Sequence, residues 1–180
     1  MIITIGGNLG AGKTTLAARL AQALSYEELY IGGVMREMAA EQRLPIEEFY
    51  VRLKHNPELE RSVDERQAAA MREKDNLIVR GRVAWFFAKS SPFTVFNIFL
   101  SVDPKIGAER TLQRPEYDGQ AADEVMKANE LRAKTEMNRY QTLYGIDDFR
   151  DPAHYDYVLD TTTLNKEEVL QNVMNAIAKK

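Results

Sequence analysis

The residues best suited to chemistry lie near the start of the chain. Between Gly6 and Thr15 the sequence reads GGNLGAGKTT, and Gly7, Gly12, Lys13 and Thr14 satisfy the spacing G-x-x-x-x-G-K-[ST]. Glycines at these positions let the backbone N–H groups of Asn8, Leu9, Gly10, Ala11 and Gly12 turn inward toward an anion. A helix that starts directly afterwards adds the unpaired donors of Lys13, Thr14 and Thr15 and the positive end of its dipole. Lys13 would reach the β- and γ-phosphates of a nucleotide, and the Thr14 hydroxyl would ligate Mg²⁺. With average residue usage the pattern arises by chance in about one in 200 chains of this length, so a glycine-rich turn without a ligand is the weaker reading.

Such a loop needs a strand before it and a helix behind it. Ile2, Ile3 and Ile5 supply the strand, and Leu16, Leu20 and Leu24, with Ala17 and Ala21, recur at helical spacing. Further on, Tyr30 to Gly33 reads as a short strand ending in a flexible corner, followed by a helix over Val34 to Arg43. Pro45 and Pro57 open two more helices, the second from Glu58 to about Lys74. Asn76 to Gly81 and Thr94 to Leu100 read as buried strands, and Asp103 with Pro104 caps the helix that carries Arg110. A break near Pro115 precedes a long polar helix or helix pair from Asp118 to about Tyr144. It has few large apolar residues before Tyr140 and Leu143, so this segment is expected to be mobile. Tyr155 to Asp160 is the last strand, and Asn165 with Glu168 forms a capping box for a final helix. Alternation of strand and helix predicts an α/β fold: one mostly parallel sheet of about five strands with helices on both faces.

Arginines are distributed as phosphoryl transfer between two anionic substrates requires, because their mutual repulsion must be offset. Arg36, Arg82, Arg110, Arg114, Arg132 and Arg139 fall at helix starts, at strand ends or in the polar segment. Arg82 follows Gly81 at the carboxyl end of a strand, where ligands gather in open α/β sheets, and its guanidinium suits bidentate phosphate binding. Asp64, Arg66 and Gln67 are close enough on one helix to present polar groups together. A GTP-hydrolysing switch would carry an N-K-x-D stretch, and the nearest match, NKEE at Asn165 to Glu168, opens the final helix instead.

Composition narrows the classes further. A net charge of −3 provides no global basic field for nucleic acid. Without cysteine there are no disulfides or thiolate metal sites, and no apolar run approaches the length of a membrane span. The first residues enter a strand rather than a secretion signal, so a cytoplasmic location is expected.

The chain as a whole resembles the cytidylate kinases, closest to their compact archaeal form, within the nucleoside monophosphate kinases. The resemblance is carried by GGNLGAGKTT, IGGVMREMA, SVDERQ, the GR of VRGRVAW, AERTLQR, RAKTEMNRYQTLYGID and YDYVLDTTTLNKEEV, spread from end to end. It implies that Arg36 and Arg82 hold the acceptor's phosphate and that Asp64, Arg66 and Gln67 line the acceptor nucleoside. Arg110 and Arg114 correspond to arginines flanking the start of a lid. Arg132, Glu136 and Arg139 reproduce the spacing R-x-x-x-[DE]-x-x-R, in which the arginines close on the phosphates and the acidic residue helps place the acceptor. In the family the residue before the GR glycine is acidic and supports the water shell of Mg²⁺, whereas here it is Arg80. Charge reversal there weakens metal binding unless Arg80 points away or Asp103, Asp64 or Glu65 substitutes.

The expectation is therefore a single P-loop kinase domain of three layers, with a helical acceptor-binding region at about 34–75 and a mobile lid at about 114–145. It would act as a monomer on ATP and CMP or dCMP, with Mg²⁺ and without nucleic acid or membrane. The alternatives are a kinase of another nucleotide, nucleoside or small acceptor, and a non-catalytic nucleotide-binding module.

Overall fold

Short apolar runs bounded by turns pair into one parallel sheet. The strands are β1 (Ile2–Gly7), β2 (Glu27–Tyr30), β3 (Leu77–Arg80), β4 (Val95–Ser101) and β5 (Tyr157–Asp160), in a computed structural model that describes residues 1–114, 117 and 119–180. Their spatial order is β2-β3-β1-β4-β5, with every neighbouring pair parallel. β1 lies between β3 and β4, where the chain's excursions to either side diverge. The carboxyl end of such a strand is where open sheets bind ligands.

Alternation along β1 decides which layer each residue feeds. Ile3 and Ile5 pack with Ile98 and Leu100 of β4 against α1 (Lys13–Leu24) and the C-terminal helix Lys166–Ile177. Ile2 faces the other way with Leu77 and Val79. There it meets Met71 of α4 (Pro57–Glu73) and Ala84 and Ala88 of α5 (Ala84–Ala88). Both faces of the sheet are thus covered, as strand–helix alternation requires.

Three helices fill the excursion from β2 to β3: α2 (Ile31–Glu41), α3 (Ile46–Lys54) and α4. They share a small core of their own, with Val34, Met38, Phe49, Leu53 and Val63 buried together. Beyond β4 come α6 (Pro104–Leu112) and the long α7 (Ala122–Tyr144). A 3₁₀ turn at Pro152–His154 then leads into β5, and α8 (Lys166–Ile177) closes the chain. Asp103 caps α6 by accepting from the backbone N–H of Lys105 and Ile106 at 2.9 and 3.2 Å, and Asn165 and Glu168 cap α8 reciprocally.

Two boundaries differ from the sequence expectation. β2 lies earlier than Tyr30–Gly33, because Glu27 to Tyr30 pairs with Leu77 to Arg80, and α2 begins at Ile31 with Gly32 and Gly33 in its first turn. Three consecutive aromatic residues, Trp85, Phe86 and Phe87, belong to the short helix α5. The run packs with Tyr140, Ile146 and Phe149 into a cluster that anchors the end of α7. The expected break at Pro115 and the expected helix start at Asp118 lie outside the described residues.

Candidate active site

The loop Gly7–Gly12 follows β1 and delivers α1 with its amino end toward the cleft. Gly12 takes the left-handed conformation (φ 91°) immediately before Lys13, a conformation glycine adopts without steric cost. Gly10 faces Gly107 of α6 so closely that a Cβ on it would stand 2.1 Å from the Gly107 carbonyl oxygen. Glycine at both positions lets α6 pack directly on the loop and hold its shape.

Lys13 donates from Nζ to the carbonyl of Gly7 at 2.8 Å and to that of Asn8. Its ammonium is drawn down to a pKa of about 7, first by burial and then by Arg82, Arg114 and Arg132, with Glu136 opposing. A cleft of about 710 Å³ opens over the loop, lined by Gly10 to Leu16 and by Arg80, Arg110, Arg114 and Arg132. Five cations from four parts of the chain therefore line the cleft over the glycine loop, and this is the chemistry that binds a polyphosphate.

Arg110 does more than face the cleft. Nη2 donates to the carbonyls of Thr161 and Thr162 at 2.8 and 3.1 Å, which ties α6 to the β5–α8 connection and shapes that wall. Thr161 returns to the loop by donating from Oγ1 to the Ala11 carbonyl at 3.2 Å.

A second group of polar residues lies where α4 and α7 meet the end of β3. Arg82 pairs with Glu136 at 2.5 Å, Arg132 pairs with the same carboxylate at 2.8 Å, and Arg139 pairs with Glu60 at 2.8 Å. Burial lowers the Arg82 pKa, and Glu136 offsets part of that cost. Asp64 accepts from the Tyr144 hydroxyl and is only 6% exposed. Burial raises its pKa to about 6, with the Tyr144 hydrogen bond and Arg139 opposing. Gln67 is buried beside Asp64, and its Nε2 has no partner among the described residues. On a helix, Glu60, Asp64 and Gln67 share one face, which is why α4 presents them together.

The expected residues do not all arrive. Arg66 projects from the opposite side of α4 and pairs with Glu41 at 2.6 Å, because positions 64 and 66 are about 200° apart on a helix. Arg36 is engaged at the start of α2, donating to the Tyr30 hydroxyl and to the Gly32 carbonyl. Sequence reasoning missed Glu28, Tyr30, Glu60, Tyr144 and Phe149, whose ring lies 5.3 Å from the Arg82 guanidinium. Only Glu60 carried a signal, its four-residue spacing from Asp64.

Arg80 does not point away. Its Nη1 donates to Thr14 Oγ1 at 2.9 Å, and its Nε donates to Glu28 Oε1 at 3.0 Å. The carboxylates expected to substitute are engaged elsewhere: Asp103 in the α6 cap, Asp64 with Tyr144 and Glu65 with Arg72. Among the described residues no group of three or more His, Asp or Glu side chains could hold a metal ion. With Arg80 at the Thr14 hydroxyl and the Glu28 carboxylate paired to Arg80, the donors around Thr14 do not fit a carboxylate-supported metal shell.

The parallel sheet, the loop at the end of its central strand and the cationic cleft above it define a phosphotransferase of the P-loop kinase class. A solved shikimate kinase from Bacteroides thetaiotaomicron shares the fold, with a TM-score of 0.63 at 18% identity over 99% of this chain and 98% of its own. In sequence, a cytidylate kinase of Methanopyrus kandleri is 35% identical over 184 residues, covering 98% of this chain and 93% of its own. One from Pyrococcus abyssi is 33% identical over 177 residues, at 98% and 93% coverage. The model of the cytidylate kinase-like family matches residues 2–163. The chain belongs to that family and is a nucleotide kinase. No helix among the described residues is long and apolar enough to cross a membrane.

Proposed function

We propose that the chain transfers the γ-phosphoryl group of ATP to CMP or dCMP, giving ADP and CDP or dCDP. The observation that carries this reading is the cleft in which Lys13, Arg80, Arg110, Arg114 and Arg132 converge on the glycine loop. ATP places its phosphates there, and Lys13 leaves the Gly7 and Asn8 carbonyls to meet them. Arg82 and Arg139 receive the acceptor's phosphate, joined by Arg36 once it leaves the Tyr30 hydroxyl and the Gly32 carbonyl, while Asp64, Gln67 and Glu136 line its nucleoside. Arg66, on the far side of α4, has no part.

An oxygen of the acceptor phosphate attacks Pγ in line, the bond from Pγ to the β–γ bridging oxygen breaks, and ADP leaves. No side chain serves as nucleophile; the protein supplies position and positive charge. Mg²⁺ carried in with ATP would meet the Thr14 hydroxyl and would neutralise phosphate charge there.

Residues at about 34–75 form the acceptor-binding part of one domain, and those at about 114–145 form the lid. The acceptor's cationic and acidic partners pair with one another through Arg82–Glu136 and Arg139–Glu60, while Glu136 Oε2 and Arg139 Nε have no hydrogen-bond partner among the described residues, and the lid helix meets α4 through Tyr144–Asp64. The acceptor phosphate replaces Glu136 as the partner of Arg82, which releases Glu136 toward the nucleoside. We place the reaction in the cytoplasm, with a monomer acting on free nucleotides.

Lys13→Ala is expected to lower phosphoryl transfer about a hundredfold or more, measured as acceptor-dependent ADP release. Full activity in that variant would sink the mechanism. The Arg80–Thr14 bond favours one other reading, a nucleotide-binding module without turnover, which predicts ATP binding but no ADP release with any nucleoside monophosphate.

A further inference from the structure

Arg80 ends β3 with its guanidinium turned into the cleft. It is held between two strands, in register with Ile5 of β1 on one side and Tyr30 of β2 on the other. Nε is spent on Glu28 and one Nη1 hydrogen on Thr14, and the guanidinium lies over the Tyr30 ring, 4.7 Å from its centroid. The three remaining N–H groups have no partner among the described residues. Tyr30 also engages Arg36 through its hydroxyl and its ring, 5.6 Å away, so one aromatic side chain steadies both arginines.

The threonine hydroxyl of a glycine loop is the protein's ligand for the metal that accompanies nucleotides. A guanidinium within hydrogen-bond reach of that hydroxyl fixes positive charge where a divalent cation would approach, and the two repel. The same guanidinium offers phosphate oxygens a planar, charge-assisted fork.

We propose that Arg80 is a resident countercharge for the donor triphosphate, so that the cleft takes metal-free nucleoside triphosphate nearly as well as its Mg²⁺ complex. This rests on the cleft being the donor site. Arg80 then does at Thr14 part of the neutralising that a carboxylate-held metal would do, and Glu28 tempers its charge.

The test is calorimetric titration of ATP, in EDTA and in excess Mg²⁺, into the intact protein, Arg80→Gln, Arg80→Lys, Glu28→Gln and Lys13→Ala. The intact chain is expected to bind in EDTA within about threefold of its affinity in Mg²⁺. Arg80→Gln is expected to weaken binding in EDTA about tenfold or more, the worth of a charge-assisted contact, and to change binding in Mg²⁺ less. Arg80→Lys should fall between. Glu28→Gln keeps Arg80 and removes its carboxylate partner, so it should tighten binding in EDTA, a direction that damage to the fold does not produce. Binding by the intact chain only with Mg²⁺, with that dependence lost in Glu28→Gln, would overturn the proposal and make Glu28 the support of the metal. An intact chain that binds no ATP in either condition would overturn the donor-site reading itself, and the proposal with it. Weaker binding by Lys13→Ala in both conditions keeps the donor-site reading standing when the Arg80 proposal fails.

Discussion

At the scale of single residues, Asp64 carries an electrostatic cost of burial that its Tyr144 hydrogen bond offsets only in part. Its carboxyl titrates at about 6 in the folded chain against an ordinary value of 3.8, chiefly because it is buried. The folded state therefore holds the proton more tightly than the unfolded state. The stability this group contributes is complete below about pH 4 and is lost as pH rises through 6. Asp64→Asn, which can still accept from Tyr144, should match the intact chain near pH 4 and exceed it by on the order of 2 kcal/mol at pH 7. Denaturant titrations at the two pH values check this, and a difference that does not grow with pH contradicts it. Glu136 presents the opposite case, since it shields the largely buried Arg82. Glu136→Ala should destabilise the ligand-free chain by about 3 kcal/mol, the cost of leaving a paired charge alone. Nucleotide should restore a larger part of that loss than it adds to the intact chain, as read from melting temperatures. The glycine-loop residues were legible in the sequence because their spacing is fixed by local backbone geometry. The partners of Arg80 were not, since Glu28 and Tyr30 come to it through strand pairing across about fifty residues of chain.

At the scale of elements, the loop and α6 are matched surfaces. Gly10 combines a φ of 78° with a Cβ position 2.1 Å from the Gly107 carbonyl oxygen, so Gly10→Ala must move either the loop or the helix. Its cost should be on the order of 3 kcal/mol by denaturant midpoint, with a loss of ATP affinity alongside. A neutral substitution would mean that the two surfaces are not held together. The long helix α7 buries only Val125 and Tyr140 over its 23 residues, and polar pairs hold its inner face. Hydrogen exchange should therefore be faster along α7 than along α1, and bound ATP with CMP should slow it selectively. Equal protection in both helices, unchanged by ligand, would argue against a lid. Caps, prolines and periodicity made most helices readable, and α6 and α8 start at the residues their caps indicated. The β2–α2 junction was misread because Gly32 and Gly33 resemble a corner. Pairing of Glu27 to Tyr30 with β3, a contact distant in sequence, sets the boundary instead.

At the scale of the whole molecule, the sheet puts the cationic cleft at the end of β1, and the excursions α2–α4 and α7 bring a second polar site beside it. The parallel α/β plan was readable from alternation alone, because strands buried on both faces need helices between them. The meeting of α4 with α7 was not, since the contacts of Asp64 with Tyr144 and of Glu60 with Arg139 each join residues some eighty positions apart. The proposed donor cleft and acceptor site, adjacent on one scaffold, amount to a claim about a reaction between two nucleotides. The measurement that addresses it most directly is coupled ADP release from ATP over a panel of nucleoside monophosphates, with and without Mg²⁺. Turnover that depends on the acceptor and is highest with CMP or dCMP is the predicted result. Turnover with AMP or UMP preferred, or ATP binding with no acceptor-dependent release at all, would contradict it.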